Sequence, residues 1–284
     1  MTFPSRTIGR EIKEGNEAMA GLIETYRVEA YNTAKLSENK MHDDAVARRF
    51  GFHGGLVPGV DVMAYMMHLP VAKWGRDFLE HGLIEARFVK PVYDGEITDI
   101  SGKEDDGGLS IEVESRGELC ATGTALLPAA APRFSISDYL EVAPVSERKP
   151  VSAESYEPGQ WLGSMPRSWA GPAAVEYLDE VREREPVFSR EGLGHPGLLQ
   201  RVMNKVLMDN AILGPWIHVG SRMQLLSAAR SGDEITARAK VIANYEKKGH
   251  RFVELDALLV GNGRTPLAHC HHVAIYQPRE QAAA

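Results

Sequence analysis

Two short strings recur in this chain at a single spacing, and they constrain its fold more than any other feature. Pro58-Gly59 returns as Pro196-Gly197, and Glu96-Ile97-Thr98 returns as Glu234-Ile235-Thr236, each pair offset by 138 residues. The contexts repeat as well. An apolar run follows each Pro-Gly, Val60–Trp74 in one case and Leu198–Ile212 in the other. A turn precedes each Glu-Ile-Thr, Tyr93-Asp94-Gly95 or Ser231-Gly232-Asp233. Self-similarity at one fixed offset, with element order kept, marks a duplicated structural unit. The expected division is 1–132 for the first unit, 133–157 for a connection rich in Ala, Pro, Ser and Glu, and 158–284 for the second.

Each unit reads as one helix followed by antiparallel strands. Val60–Trp74 is apolar on nearly all sides, the pattern of a helix enclosed by other structure rather than lying on a surface. Pro70 inside it is expected to kink or divide the helix. After Asp77 the period shifts, and Leu83–Val92, Glu96–Gly102, Leu109–Ser115 and Leu119–Leu127 read as strands separated by Gly- and Asp-rich turns. Three strands are expected after the second helix: Ile235–Tyr245, Arg251–Val260 and Leu267–Tyr276. Their wider spacing predicts longer strands or loops. Residues 11–27 read as a short helix and a strand, and Asp43–Phe50 as a short helix capped by Asp43 or Asp44 and ended by Gly51.

Composition narrows the partners. A net charge of −7 without a Lys/Arg cluster argues against nucleic acid. Two cysteines, Cys120 and Cys270, are too few for a disulfide framework and read as buried thiols. The N-terminus lacks the apolar stretch of a secretory signal, and His68, Pro70 and Lys73 interrupt the most apolar segment, so no membrane span is expected. A cytoplasmic protein, with a possible homo-oligomeric state left open, is the expectation.

The chemistry concentrates between Ser37 and Gly59. A polar segment carrying His42 leads through a short helix and the turn Gly54-Gly55 to Pro58-Gly59, where the apolar helix begins. Imidazole titrates near neutral pH, and the first N–H groups of a helix favour negative charge, so the pair suits acid/base work on a carbonyl compound.

The segment resembles the MaoC-like, (R)-specific enoyl-CoA hydratase/dehydratase family. That family carries Asp-x-Asn-Pro-(aliphatic)-His, an Asp two residues on, Ala, Gly-Phe, and a glycine heading the central helix. Here the matching residues are Ser37, Glu38, Asn39, Lys40, Met41 and His42, then Asp44, Ala47, Gly51-Phe52 and Val57-Pro58-Gly59. The family's strand and turn appears as Phe88-Val89-Lys90-Pro91-Val92-Tyr93-Asp94-Gly95-Glu96. The resemblance implies an α+β double hotdog, in which each of two tandem units wraps a curved antiparallel sheet around a helix. It also implies addition of water to, or its removal from, an acyl thioester, with coenzyme A present only as part of the substrate and no other cofactor.

Carried over, the catalytic candidates are His42 as acid/base, Asn39 as orienter, Gly59 as donor to the thioester oxygen, and Ser37 where the family has its catalytic aspartate. Glu38 and Asp44 are the nearby carboxylates that could replace it. Substrate-binding candidates are His53, Gly54, Gly55, Val57, Pro58 and Asp44. Trp161 and Trp169 are candidate acyl-pocket or core residues. In the second unit, Ser164-Met165-Pro166-Arg167-Ser168-Trp169 stands where the polar segment would be and lacks an acid/base pair, so one site per chain is expected. His195, before the second Pro-Gly, reads as structural. The run His269-Cys270-His271-His272 alternates faces on a strand and lacks a third ligand at a familiar spacing, so no metal is expected. Two other functions stay open: a hotdog acyl-CoA thioesterase, and a catalytically weakened acyl-CoA-binding subunit.

Overall fold

The computed structural model describes residues 21–130 and 132–279. The expected helix within 11–20 lies outside them. The first unit comprises β1 (Leu22–Glu29), a 3-10 turn at Lys40–His42, α1 (Asp44–Arg49), α2 (Gly59–His81), and strands β2 (Leu83–Phe88), β3 (Ile97–Asp105), β4 (Gly108–Ser115) and β5 (Glu118–Leu126). The second comprises β6 (Trp161–Leu162), α3 (Pro172–Glu180), α4 (Pro186–Glu191), α5 (Gly197–Asn210), β7 (Ile217–Leu225), β8 (Ile235–Lys247), β9 (His250–Gly261) and β10 (Thr265–Gln277).

All ten strands join one antiparallel sheet in the order β1-β3-β4-β5-β2-β7-β10-β9-β8-β6. Read outward from the centre, the two arms run β2-β5-β4-β3-β1 and β7-β10-β9-β8-β6, the same order advanced by five. The arms meet at β2 and β7, paired from Leu83↔Gln224 to Arg87↔Gly220. The recurring strings mark equivalent places: Gly59 and Gly197 open α2 and α5, while Ile97 and Ile235 open β3 and β8. This is the double hotdog.

The helix expected to be apolar all round is buried all round. Met63, Tyr65, Met66 and Met67 of α2 are fully enclosed, and Val60, Val62 and Leu69 nearly so. Each such side chain removed from water contributes about 1.5–3 kcal/mol, so α2 anchors its unit. The expected break at Pro70 falls elsewhere. The non-helical residue is Gly75 (φ 56°, ψ −132°), and Pro70 lies within the helix. Proline forfeits one hydrogen bond but keeps a helical φ, whereas the positive φ at Gly75 reverses the local path and suits glycine.

In the second unit β8, β9 and β10 have 13, 12 and 13 residues, against 9, 8 and 9 in β3, β4 and β5. The longer spacing therefore went into strands. Strand β7 was not expected from the sequence. Three of its buried positions are the polar residues His218, Ser221 and Gln224, and they break the apolar alternation by which a strand is recognised. Cys120 and Cys270 are buried, as expected. Among the described residues no helix is long and apolar enough to cross a membrane.

Candidate active site

The polar segment folds through local side-chain bonds. Asn39 caps the 3-10 turn, its Oδ1 accepting from the Met41 N–H at 3.1 Å. Asp43 caps α1, accepting from the Ala45 and Val46 N–H groups at 3.0 Å each. Gly51 follows the helix with φ 87°. Asp44 turns back on the glycine loop, its Oδ1 accepting from the Gly55 N–H at 2.7 Å. A β-carbon on Gly55 would collide with the His42 carbonyl oxygen, so only glycine lets the loop close over that residue.

These bonds place His42 between two cavities. The first, about 320 Å³, is lined by Asn39, Met41 and His42, by Leu56, Val57, Pro58 and Gly59, and across from them by Asn204, Trp216 and His218. The second, about 290 Å³, shares Asn39, His42, Pro58, Asn204 and Trp216 and adds Ser37, Asp61, Arg167, Trp169, Arg201 and Lys205. Hydrophobic groups dominate the first, while cations gather in the second. There Arg167 forms a two-point pair with Asp209 (2.7 and 2.9 Å), and Arg201 bonds Asp61 at 3.0 Å and Glu180 at 2.8 Å. Lys205 forms no ion pair among the described residues, and burial lowers the pKa of its ammonium.

Hydrogen bonding fixes the state of His42. Its Nδ1 lies 2.6 Å from the Leu56 carbonyl oxygen, which only accepts, so Nδ1 carries the hydrogen. Its Nε2 lies 3.2 Å from Asn39 Nδ2, which only donates. Burial holds the imidazole below its usual pKa, opposed by the Leu56 carbonyl and by Asp61. His42 is thus neutral, with its free lone pair already in contact with an amide. Asn39, itself buried, also clips the halves together: Nδ2 donates to the Trp216 carbonyl at 2.9 Å, and Oδ1 accepts from the Trp216 N–H at 3.1 Å.

The two helix heads differ. Pro58 offers Gly59 no side-chain cap, and Gly59 lines the first cavity. At the other head the Gly197 N–H donates to His195 Nδ1 at 3.0 Å, and Tyr177 Oη and Ala64 crowd the position of a β-carbon. Only the first head has its leading amide at a cavity free to meet an incoming anion.

Of the other expected site residues, Val57 and Pro58 line the first cavity. Ser37 faces only the second, its Oγ donating to the Asn39 carbonyl at 3.1 Å. His53 is exposed, its ring edge-on to Tyr93, and lines neither cavity. Gly54 and Gly55 form the loop behind His42, held by Asp44 at the start of α1, and none of the three lines either cavity. Glu38 reaches outward to Arg148 at 2.9 Å. Neither nearby carboxylate therefore takes the place that Ser37 leaves. Trp169 lines the second cavity, while Trp161 sits on β6 beneath the Lys240 ammonium.

On β10, His269 and His271 face Asp256 and Glu254 at 2.6 and 2.9 Å, while Cys270 and His272 point into the core. No group of three or more potential metal ligands occurs among the described residues.

The sequence reading missed the opposite wall. Asn204 Oδ1, Trp216 Nε1 and His218 Nδ1 are buried polar atoms without a partner among the described residues, and all three residues line the first cavity. Two acceptors and a donor left unpaired at a cavity wall are costly unless a ligand or water meets them. The available signal was the scatter of polar residues, His218, Ser221 and Gln224, through an otherwise strand-like segment, and of the three unpartnered groups it points only to His218.

No protein-family model and no curated protein matches the chain. Solved structures do match its fold. A MaoC-domain dehydratase from Chloroflexus aurantiacus superposes with a TM-score of 0.62 at 10% identity, covering 90% of this chain and 95% of that one. A conserved hypothetical protein from Mycobacterium tuberculosis described as a double hotdog gives 0.61 at 12% identity, covering 89% and 95%. A MaoC-like dehydratase gives 0.56 at 14% identity, covering 89% and 98%.

Proposed function

We propose that the protein is a hydro-lyase that adds water to, or removes it from, an acyl thioester of the enoyl-CoA/3-hydroxyacyl-CoA type. One observation carries the reading: the uncapped helix head at Gly59 and the neutral imidazole of His42 line the same cavity, while the equivalent head at Gly197 is closed by His195. The dehydratase structures of the same fold lend support. Water addition to an α,β-unsaturated thioester builds negative charge on the carbonyl oxygen, and an amide N–H at the head of α2 would stabilise it by roughly 2.7–4 kcal/mol. The hydrophobic first cavity would take the acyl chain. The cationic second cavity would suit the charged portion of the thioester's carrier.

The experiment is incubation with crotonyl-CoA, following loss of the enoyl absorbance and release of free thiol in parallel. Hydration without thiol release is the expected result. Thiol release would instead support a thioesterase, and tight binding with neither signal an acyl-CoA-binding subunit; either result overturns the proposal.

A further inference from the structure

His42 presents its cavity with a lone pair already engaged by Asn39, and Ser37 supplies no base. The Asp61 carboxylate of the second cavity is already taken by Thr33 and Arg201, so among the described residues the first unit leaves no unengaged base for the proton of the attacking water. The second unit supplies one.

His218 is about 5% exposed, lines the same cavity as His42 and Gly59, and packs on the head of α2. A β-carbon on Gly59 would lie 3.1 Å from its Nδ1, an approach tighter than ordinary contact. Phe88 meets the ring edge-on at 4.9 Å, and His272 stacks on it at 4.3 Å. No carboxylate or ammonium is hydrogen-bonded to it among the described residues.

A chain of bonds behind the ring fixes which nitrogen is free. Gln200 turns its Nε2 toward Cys270 Sγ (3.5 Å) and Met223 Sδ (3.6 Å), so its Oε1 faces Ser221. The Ser221 hydroxyl has one hydrogen and gives it to Gln200 Oε1 at 3.1 Å. Ser221 Oγ must then accept from its other two neighbours, His218 Nε2 at 2.8 Å and His272 Nδ1 at 2.9 Å. His218 therefore carries its hydrogen on Nε2. Its Nδ1 has no hydrogen-bond partner among the described residues, and the Gly220 backbone beside the ring favours its charged form.

We infer that His218 Nδ1 takes the proton of the attacking water, with Ser221 and Gln200 acting as positioning residues that hold its tautomer. The inference rests on the hydro-lyase reading. As the water oxygen bonds the β-carbon, its O–H bond breaks and the proton passes to Nδ1. The carbon–carbon π pair moves toward the thioester carbonyl, whose oxygen becomes the enolate at the Gly59 N–H. The enolate then takes the proton from Nδ1 at its α-carbon. One water has been added, and the imidazole is restored. Because one group gives and takes the proton, both new bonds form on the same face. Burial holds the pKa of the resting imidazole down to about 3, so the transfer depends on the negative charge growing on the thioester, which favours the imidazolium just when it forms.

The test uses H218Q and S221A in the full chain. Glutamine can reach Ser221 in place of Nε2, but it leaves no acceptor at the Nδ1 position. H218Q is expected to lower kcat for crotonyl-CoA hydration about 10²–10⁴-fold with KM little changed. S221A is expected to keep partial activity with a shifted pH profile of kcat/KM, which a purely structural loss would not produce. Independently of turnover, ¹⁵N NMR of histidine-labelled protein should show His218 as the Nε2–H tautomer and His42 as Nδ1–H. The His218 Nδ1 resonance should move when 3-hydroxybutyryl-CoA binds. Unchanged kcat in a folded H218Q, a His218 found as Nδ1–H, or an Nδ1 resonance indifferent to the thioester overturns the assignment, and the first leaves the hydro-lyase reading standing. A wild-type protein that hydrates nothing refutes that reading, and the proton transfer falls with it. A ligand-sensitive Nδ1 would then identify His218 as a contact only.

Discussion

Removing the Asn39 side chain with Asn39→Ala tests how the halves are joined at the site. Three backbone groups lose their partners: the Met41 N–H, the Trp216 N–H and the Trp216 carbonyl. A stranded buried polar group costs about 1–3 kcal/mol. Asn39 lines both cavities, so water can enter and satisfy part of the loss, which selects the low end for each group. The expected cost is therefore about 3 kcal/mol, a sizeable share of the roughly 5–15 kcal/mol that holds a folded protein together. At roughly 2–4 °C per kcal/mol for chains near this size, the midpoint should fall by about 6–12 °C. Urea unfolding followed by tryptophan fluorescence measures the free energy, and calorimetry the midpoint. Asn39→Asp keeps both N–H acceptors but sets an oxygen against the Trp216 carbonyl, and it should also be destabilised. A loss below 1 kcal/mol in Asn39→Ala would refute the clip and make Asn39 an ordinary turn residue.

Other consequences follow from the same contacts. Gly55→Ala would drive a β-carbon into the His42 carbonyl, and overpacking of this kind costs about 1–3 kcal/mol. Because it displaces His42 by part of an ångström, hydration should fall by up to about 10²-fold, measured by steady-state kinetics. Burial depresses the pKa of His218 to about 3 and that of His272 well below its usual value. Both stay neutral in the folded state while the unfolded chain takes up protons below about pH 6.5. Their burial therefore costs nothing above that pH, and stability falls as pH drops below it. The slope approaches about 1.4 kcal/mol per pH unit for each only well below pH 6.5, so the two should cost about 3 kcal/mol between pH 6.5 and 5. Urea midpoints across that range measure it, and H218Q should show a shallower slope than the wild type.

The fold was legible because the duplicated strings sit where geometry demands particular residues. Pro-Gly opens both helices, and Glu-Ile-Thr enters β3 and β8, the third strand of each unit in chain order. The helix α2 was legible from its apolar circumference, though not its break, since a proline inside a helix draws attention that Gly75 does not. Strand β7 was illegible for a physical reason: it carries buried polar residues that only the folded chain can satisfy. The first wall of the site followed from spacing, because Asn39, His42 and Gly59 lie on one short stretch. Asp44 was over-read. A carboxylate near a glycine loop has a local partner in the Gly55 N–H, and in the structure it uses that partner. The opposite wall could not be found by spacing, because Trp216 lies 177 residues from the asparagine that clasps it.

The claim beneath all of this is that an acyl thioester places its carbonyl oxygen at the head of α2. A crystal structure of the protein with 3-hydroxybutyryl-CoA tests it directly. The thioester oxygen is expected within about 3.1 Å of the Gly59 nitrogen, with the acyl group in the cavity between His42 and His218. A thioester seated with its carbonyl away from that amide, whether at the head of α5 or on the outer face of the sheet, would contradict it.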